Sequence, residues 1–246
     1  MEAAGEAPGP GRLIAHQAER GGPKRAEQDV RPERGKQIVH ALPWLNWFTA
    51  THPLMLSVRR HCISMDNTEL KKEADLLVLQ CRLAEMLAVY PSWFIGGSYS
   101  YDLMCWRDLD IYVLDPAHDL KQCFEVGYEL TLRLAANKSF FTNNVGGKPS
   151  GLYWGIRLGD TRRGAWKLDV WFLDQTGYQQ HATYSSVMRE KLTSENRRII
   201  LTIKEAYWQQ ASYRDTITSD MIYRAVLDNE VRTVSDFERF VKESAA

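Results

Sequence analysis

The segment WFIGGSYSYDLMCWRDLDIYVL, from Trp93 to Leu114, constrains the fold more than any other stretch of the chain. One apolar run ends in Gly96-Gly97-Ser98, and a second opens with Asp108 and Asp110. Strand residues two apart share a face, so Asp108, Asp110 and Tyr112 lie on one side and Leu109, Ile111 and Val113 on the other. The aliphatic side is core. The acidic side holds two carboxylates roughly 7 Å apart along the strand, a span suited to hard divalent cations. Without a cation the pair is unfavourable there, because each carboxylate has hydration to lose.

A third carboxylate comes from WKLDVWFL, where Lys167, Asp169 and Trp171 alternate with Leu168 and Val170. If this strand lies beside Asp108–Leu114, Asp169 joins the pair. Three carboxylates together with substrate phosphates suit two Mg²⁺ ions, the arrangement for in-line displacement at phosphorus; Mn²⁺ is the alternative metal. Gly96 and Gly97 let a backbone approach phosphate closely, and the free N–H groups of a following helix start, with the Ser98 hydroxyl, suit its oxygens. Each feature alone has an ordinary reading: a Gly-Gly-Ser turn, a chance Asp-x-Asp, a solvated aspartate. The combination in one order is what carries the chemistry.

That combination resembles the DNA polymerase β-type nucleotidyltransferase superfamily. Its signature, an apolar residue, Gly, Gly or Ser, a spacer and then Asp-x-Asp/Glu, is met by Ile95, Gly97, Ser98, Asp108 and Asp110, with Asp169 matching the third carboxylate. The resemblance covers about residues 68–174 and is closest to small bacterial members, the antibiotic nucleotidyltransferases and minimal antitoxin-type enzymes. It implies that Asp108, Asp110 and Asp169 are the catalytic, metal-binding residues. Gly96, Gly97, Ser98 and Lys167 are then the expected nucleotide contacts. Asp169 takes the second metal or the proton of the attacking hydroxyl. The implied reaction is Mg²⁺-dependent transfer of NMP from an NTP, with ATP the first candidate, to a hydroxyl acceptor, releasing pyrophosphate. A small-molecule acceptor is favoured over protein or RNA, and DNA is not expected. The rival reading is an antitoxin-like or nucleotide-sensing interaction protein on the same fold.

The expected fold class is α+β: a small mixed sheet with helices packed on one side, followed by a C-terminal helical region. The division expected is residues 1–64, a disordered extension or over-extended start with Met65 the candidate initiator; residues 65–184, the nucleotidyltransferase domain; and residues 185–246, helical. The first segment is rich in Gly, Pro, Arg and Glu without a sustained period. Equal numbers of basic and acidic residues, 31 each, argue against a long polyanion-binding face. Four irregularly spaced cysteines suggest neither zinc nor a disulfide framework. No apolar run approaches the ~20 residues of a membrane helix, and a cytoplasmic location is expected.

Further readings concern single elements. Asn67 or Thr68 is expected to cap a first helix with Leu70, Ala74, Leu77, Cys81 and Ala84 on its buried face. The helix through residues 119–138 is expected to pack through Leu120, Phe124, Tyr128, Leu132 and Ala135. GLYWGIRLG and AWKLDVWFLD read as an antiparallel hairpin, and Thr193 or Ser194 as the cap of a later helix. Arg107, like Lys167, is a candidate phosphate contact against a reading as solvated charge; Arg157 shares a face with Tyr153 and is a candidate for the cleft; Arg162 and Arg163 read as solvated residues of the hairpin turn; and Tyr99, Tyr101, Trp154 and Trp171 are candidate base contacts against packing.

Overall fold

The computed structural model describes residues 66–244, so the readings on residues 1–64 and on Met65 lie outside the described residues. Asp66 caps the first helix, α1 (Asn67–Gln80), its carboxylate accepting from the Thr68 N–H. The expected cap Asn67 is used elsewhere: its side-chain oxygen accepts the Met104 N–H at 2.8 Å, tying α1 to the loop before the acidic strand. Leu70, Ala74, Leu77 and Cys81 are buried as expected, but Ala84 is exposed. Arg82, at φ 57°, breaks the helical phase, and the short helix α2 (Leu83–Met86) restarts it so that Leu83 and Leu87 enter the core instead.

A five-stranded sheet follows: β1 (Trp93–Ile95), β2 (Asp108–Leu114), β3 (Lys138–Asn143), β4 (Gly151–Arg157) and β5 (Lys167–Leu173), in the order β1-β2-β5-β4-β3. Only β2 and β5 pair in parallel; every other pair is antiparallel. The β4–β5 hairpin forms as expected, closing through a 3₁₀ turn at Thr161–Arg163 and Gly164 at φ 90°. The sequence reading did not anticipate β3. It is a short edge strand, and its alternation is spread over KSFFTN with two adjacent phenylalanines.

The helix α4 (Leu120–Arg133), capped by Asp119, packs through the opposite stripe from the expected one. Cys123, Val126, Gly127 and Leu130 are buried, whereas Leu120, Phe124, Tyr128 and Leu132 are exposed. The physical reason is Trp154 of β4, whose indole lies where a side chain at position 127 would stand. Only the glycine stripe lets the helix approach the sheet.

Helices α1 and α4 cover one face of the sheet, closing a core around Leu109, Ile111, Val113, Leu168, Val170 and Phe172. A second core joins α5 (Gln175–Lys191), α6 (Ser194–Tyr207, capped by Thr193), α7 (Ser219–Asp228) and α8 (Val234–Ser244). Tyr101, Leu103, Cys105 and Trp106, from the segment between α3 (Gly97–Ser100) and β2, pack into that second core and lash it to the sheet. Cys81, Cys105 and Cys123 are buried free thiols. Among the described residues no helix is long and apolar enough to cross a membrane.

Candidate active site

The face of the sheet left open by α1 and α4 is ordered in rows, because every strand contributes alternate residues to it. One row reads Asp108, Lys167, Arg157, Lys138 from β2 to β3; the next reads Asp110, Asp169, Gly155, Phe140; the third reads Tyr112, Trp171, Tyr153, Thr142. A cationic row, a carboxylate row and an aromatic row thus lie side by side. The parallel register sets Asp169 directly beside Asp110, the juxtaposition the sequence required.

The Lys167 ammonium stands between the strands, 2.9 Å from Asp108 Oδ1 and 2.7 Å from Asp169 Oδ2. Asp169 Oδ1 accepts two further bonds, from Arg157 Nη1 at 2.9 Å and from the Tyr153 hydroxyl at 2.8 Å. Asp110 differs: among the described residues its carboxylate accepts no hydrogen bond, and it lies against Gly97, where a Cβ would overlap Oδ2. Burial, with the charges of Asp108 and Asp169, pushes the Asp110 carboxyl up to about 7 despite the nearby Lys167. Burial also raises Asp108, against the pull of Lys167. Burial disfavours the Lys167 ammonium, but the three carboxylates outweigh it and hold it charged.

The pair faces a cleft of about 500 Å³ floored by Gly97, Ser98, Asp108, Asp110 and Tyr112. The opposite wall comes from α5 and α7. His181 stacks on Tyr112, ring centroids 4.2 Å apart, and burial keeps its imidazole below the ordinary range. Tyr184 donates to Asp220 at 2.8 Å, and the Tyr101 and Ser185 hydroxyls are 3.1 Å apart. Beneath the cleft, Lys204 of α6 is fully buried and donates to the Leu103 carbonyl at 2.6 Å and the Tyr223 hydroxyl at 3.2 Å. No ion pair to Lys204 forms among the described residues, and its charge draws Asp108 and Asp110 downward.

Of the expected residues, Gly97, Ser98, Asp108 and Asp110 line the cleft. Gly96 starts the short α3 and has its N–H on the Asp110 carbonyl. α3 is a single turn, so any anion it holds would be held by local N–H groups and not by a macrodipole. Arg107 is a clamp, its Nε and Nη2 on the two oxygens of Glu73 at 2.7 and 3.0 Å. Arg157 lies on the carboxylate row. Tyr99 turns outward to Asp75, and Trp154 belongs to the opposite face. Tyr101 lines the cleft, and Trp171 sits on the aromatic row. The sequence reading missed His181 and Lys204. Lys204 carried a signal, since it interrupts the apolar face formed by Ile200, Ile203 and Tyr207.

Hard oxygen donors, one of them free of hydrogen bonds, fit a divalent cation better than nitrogen or sulfur chemistry. Among the described residues no three acidic, imidazole or thiol side chains converge on one point, because the Lys167 ammonium holds Asp108 and Asp169 at its own contact distances.

A mixed five-stranded sheet with helices on one face and carboxylates on the other is the α+β architecture expected from the sequence. No protein-family model and no curated protein matches the chain. Among solved structures it is similar to a cytoplasmic RNA terminal U-transferase, at 16% identity and TM-score 0.45, over 67% of this chain and 48% of that one. It is also similar to the Cid1 poly(U) polymerase with Mg 3′-dATP bound, at 18% identity and TM-score 0.46, over 67% and 50%. A third likeness is terminal uridylyl transferase 4 from Trypanosoma brucei, at 14% identity and TM-score 0.44, over 63% and 52%. The chain spans about half the length of these structures. At these scores the likenesses assign it neither substrate nor partner.

Proposed function

We propose that the protein is a nucleotidyltransferase. An acceptor hydroxyl attacks the α-phosphorus of an NTP, a new P–O bond forms, the bond to the β-phosphate oxygen breaks, and pyrophosphate leaves as the hydroxyl proton is released. The observation that carries the reading is Asp108 and Asp110 at the floor of a cleft, with Asp169 register-paired to Asp110 on the parallel neighbouring strand. Mg²⁺ would be held by Asp108 and Asp110, with Asp169 serving a second ion, and would supply charge neutralisation at the phosphates. Ser98 and the backbone at Gly97, on the same floor, are placed to meet the triphosphate. Asp169 already accepts from Lys167, Arg157 and Tyr153, so the reading does not make it the proton acceptor, and the released proton passes to solvent. Lys167 is the nearest cation to any anion bound over the carboxylates.

One observation favours a second reading, binding without turnover: Lys167 already occupies the space between Asp108 and Asp169. Pyrophosphate release separates the two. The first test is thermal denaturation with each NTP, with and without Mg²⁺, for wild type and the double variant Asp108→Asn, Asp110→Asn. Ligand at a hundred times its Kd adds about 2.7 kcal/mol. A Mg²⁺-dependent shift in wild type that is lost in the variant is the expected result. No shift with any of the four nucleotides would sink the proposal.

A further inference from the structure

Asp169 has more partners than either of the other two carboxylates, and one of them is a hydroxyl. Lys167 takes Oδ2, while Oδ1 is shared between Arg157 Nη1 at 2.9 Å and the Tyr153 hydroxyl at 2.8 Å. Among the described residues no other hydroxyl donates to Asp108, Asp110 or Asp169. An acceptor hydroxyl that came from outside to meet Asp169 would have to displace one of these three groups. Tyr153 is already there.

Packing puts the hydroxyl in that position. Tyr153 stands on β4 two residues from Gly155, the position paired with Asp169. Its ring lies 4.5 Å from that of Trp171 and 5.7 Å from that of Phe140, centroid to centroid. The phenol is thereby laid along the strand with its oxygen over Gly155, where a Cβ would come within 2.8 Å of it. The carboxylate row therefore reads Asp110, Asp169 and then the Tyr153 oxygen, on three successive strands about 4.8 Å apart. Arg157 Nη2 approaches the same oxygen at 3.4 Å, so a cation stands beside any phosphate joined to it. Tyr153 is half-buried, and the main helix packing on β4 comes from α4 on the opposite face. A group attached to its oxygen thus has an open side to extend into.

We propose that Tyr153 is a modification site, and that the protein transfers a nucleoside monophosphate to this hydroxyl of its own chain. The proposal rests on the transferase reading, since it takes the floor of Asp108 and Asp110 as the place where an NTP is held. The phenolic oxygen forms a bond to the α-phosphorus. The bond from that phosphorus to the oxygen bridging to the β-phosphate breaks, and pyrophosphate leaves with the bridging oxygen. The hydroxyl proton, already shared with Asp169 Oδ1, passes to solvent. The product is a tyrosyl phosphodiester, and the NTP is the only co-reactant consumed. This departs from the small-molecule acceptor that the sequence favoured. Once esterified, Tyr153 no longer donates to Asp169, and the attached nucleotide lies beside the carboxylate row. The modified chain is therefore expected to bind a further NTP more weakly than the unmodified one.

The test incubates the full chain with Mg²⁺ and each of the four NTPs, labelled at the α- or at the γ-phosphate, for wild type, Tyr153→Phe and Asp110→Asn. Label retained after denaturation is counted, and the modified peptide of wild type is sequenced by mass spectrometry. The Mg²⁺-dependent nucleotide thermal shift is read on the same samples. Wild type is expected to keep α-label and no γ-label, at a rate per chain independent of protein concentration, with the nucleotide on Tyr153. Tyr153→Phe keeps the ring against Trp171 and should lose at least tenfold of the label, and Asp110→Asn should lose it altogether. Peptide mapping of wild type decides the site even if a variant fails to fold. Label on another residue, label undiminished in Tyr153→Phe, retained γ-label, or a rate proportional to protein concentration overturns the proposal. A wild-type thermal shift without any label also overturns it and leaves the transferase reading standing. Neither shift nor label overturns both.

Discussion

Replacing Asp110 with asparagine is expected to make the metal-free protein more stable while removing its activity. The folded-state carboxyl is raised to about 7 by burial and by its acidic neighbours, from an ordinary value near 3.8. For an acid raised on folding, stability is fully present below the unfolded pKa and is lost as pH rises toward the folded one. The loss therefore accumulates at about 1.4 kcal/mol per pH unit between roughly pH 4 and pH 7, and levels off above. Three units give a ceiling of about 4 kcal/mol, and rearrangement of Lys167 brings the expected gain to about 2–4 kcal/mol.

Asparagine keeps the shape against Gly97 and cannot ionise. In EDTA at pH 8, Asp110→Asn should melt on the order of 5–10 °C above wild type, with the gap closing toward pH 4. Saturating Mg²⁺ should narrow it from the other side, because the ion stabilises only the ionised wild-type pair. Thermal denaturation by circular dichroism across pH 4 to pH 9 reads all three effects. A variant that melts with or below wild type at pH 8 in EDTA would refute the reasoning, since it would mean the pair carries no stored repulsion.

Two glycines give sharper steric tests. Gly97→Ala places a side chain at φ 60° and against Asp110 Oδ2, so it should cost about 1–2 kcal/mol of stability and at least a hundredfold in pyrophosphate release. Near-wild-type turnover would show that the carboxylate does not need its present position. Gly127→Ala lies within α4, where alanine is normally favoured by about 1 kcal/mol. Overlap with the Trp154 indole reverses the sign here, and a net loss of about 1–3 kcal/mol in urea denaturation is expected. A stabilised variant would mean that α4 sits further from the sheet.

Much of the site was legible because a strand has a period of two. That period alone put Asp108 and Asp110 on one face and predicted the face of Asp169; the remaining condition, adjacency of β2 and β5, is met in register. Helices were harder. In α4 two apolar stripes both keep helical spacing, so the pattern announced a helix without saying which stripe it buries. The deciding residue was Gly127, whose meaning depends on Trp154 from another strand. At Arg82 nothing local announces a left-handed residue, and the phase change it causes removed Ala84 from the core. Lys204 was visible as an oddity on an apolar face but had no role until Leu103 and Tyr223 were found around it.

The parallel pairing of β2 with β5 has a consequence for how the molecule comes into being. The β4–β5 hairpin closes over a short turn and needs nothing from upstream, but β5 meets β2 only after the intervening helix and two strands have been laid down. Until that pairing closes, Asp169 has no register with Asp110, and the first two carboxylates lack their companion. A slip of one position would set Leu168 or Val170 against Asp110 and turn the acid inward. On the proposed transferase reading, chemistry at phosphorus is withheld from a nascent or misregistered chain, and the appearance of turnover during refolding would time the closing of the sheet.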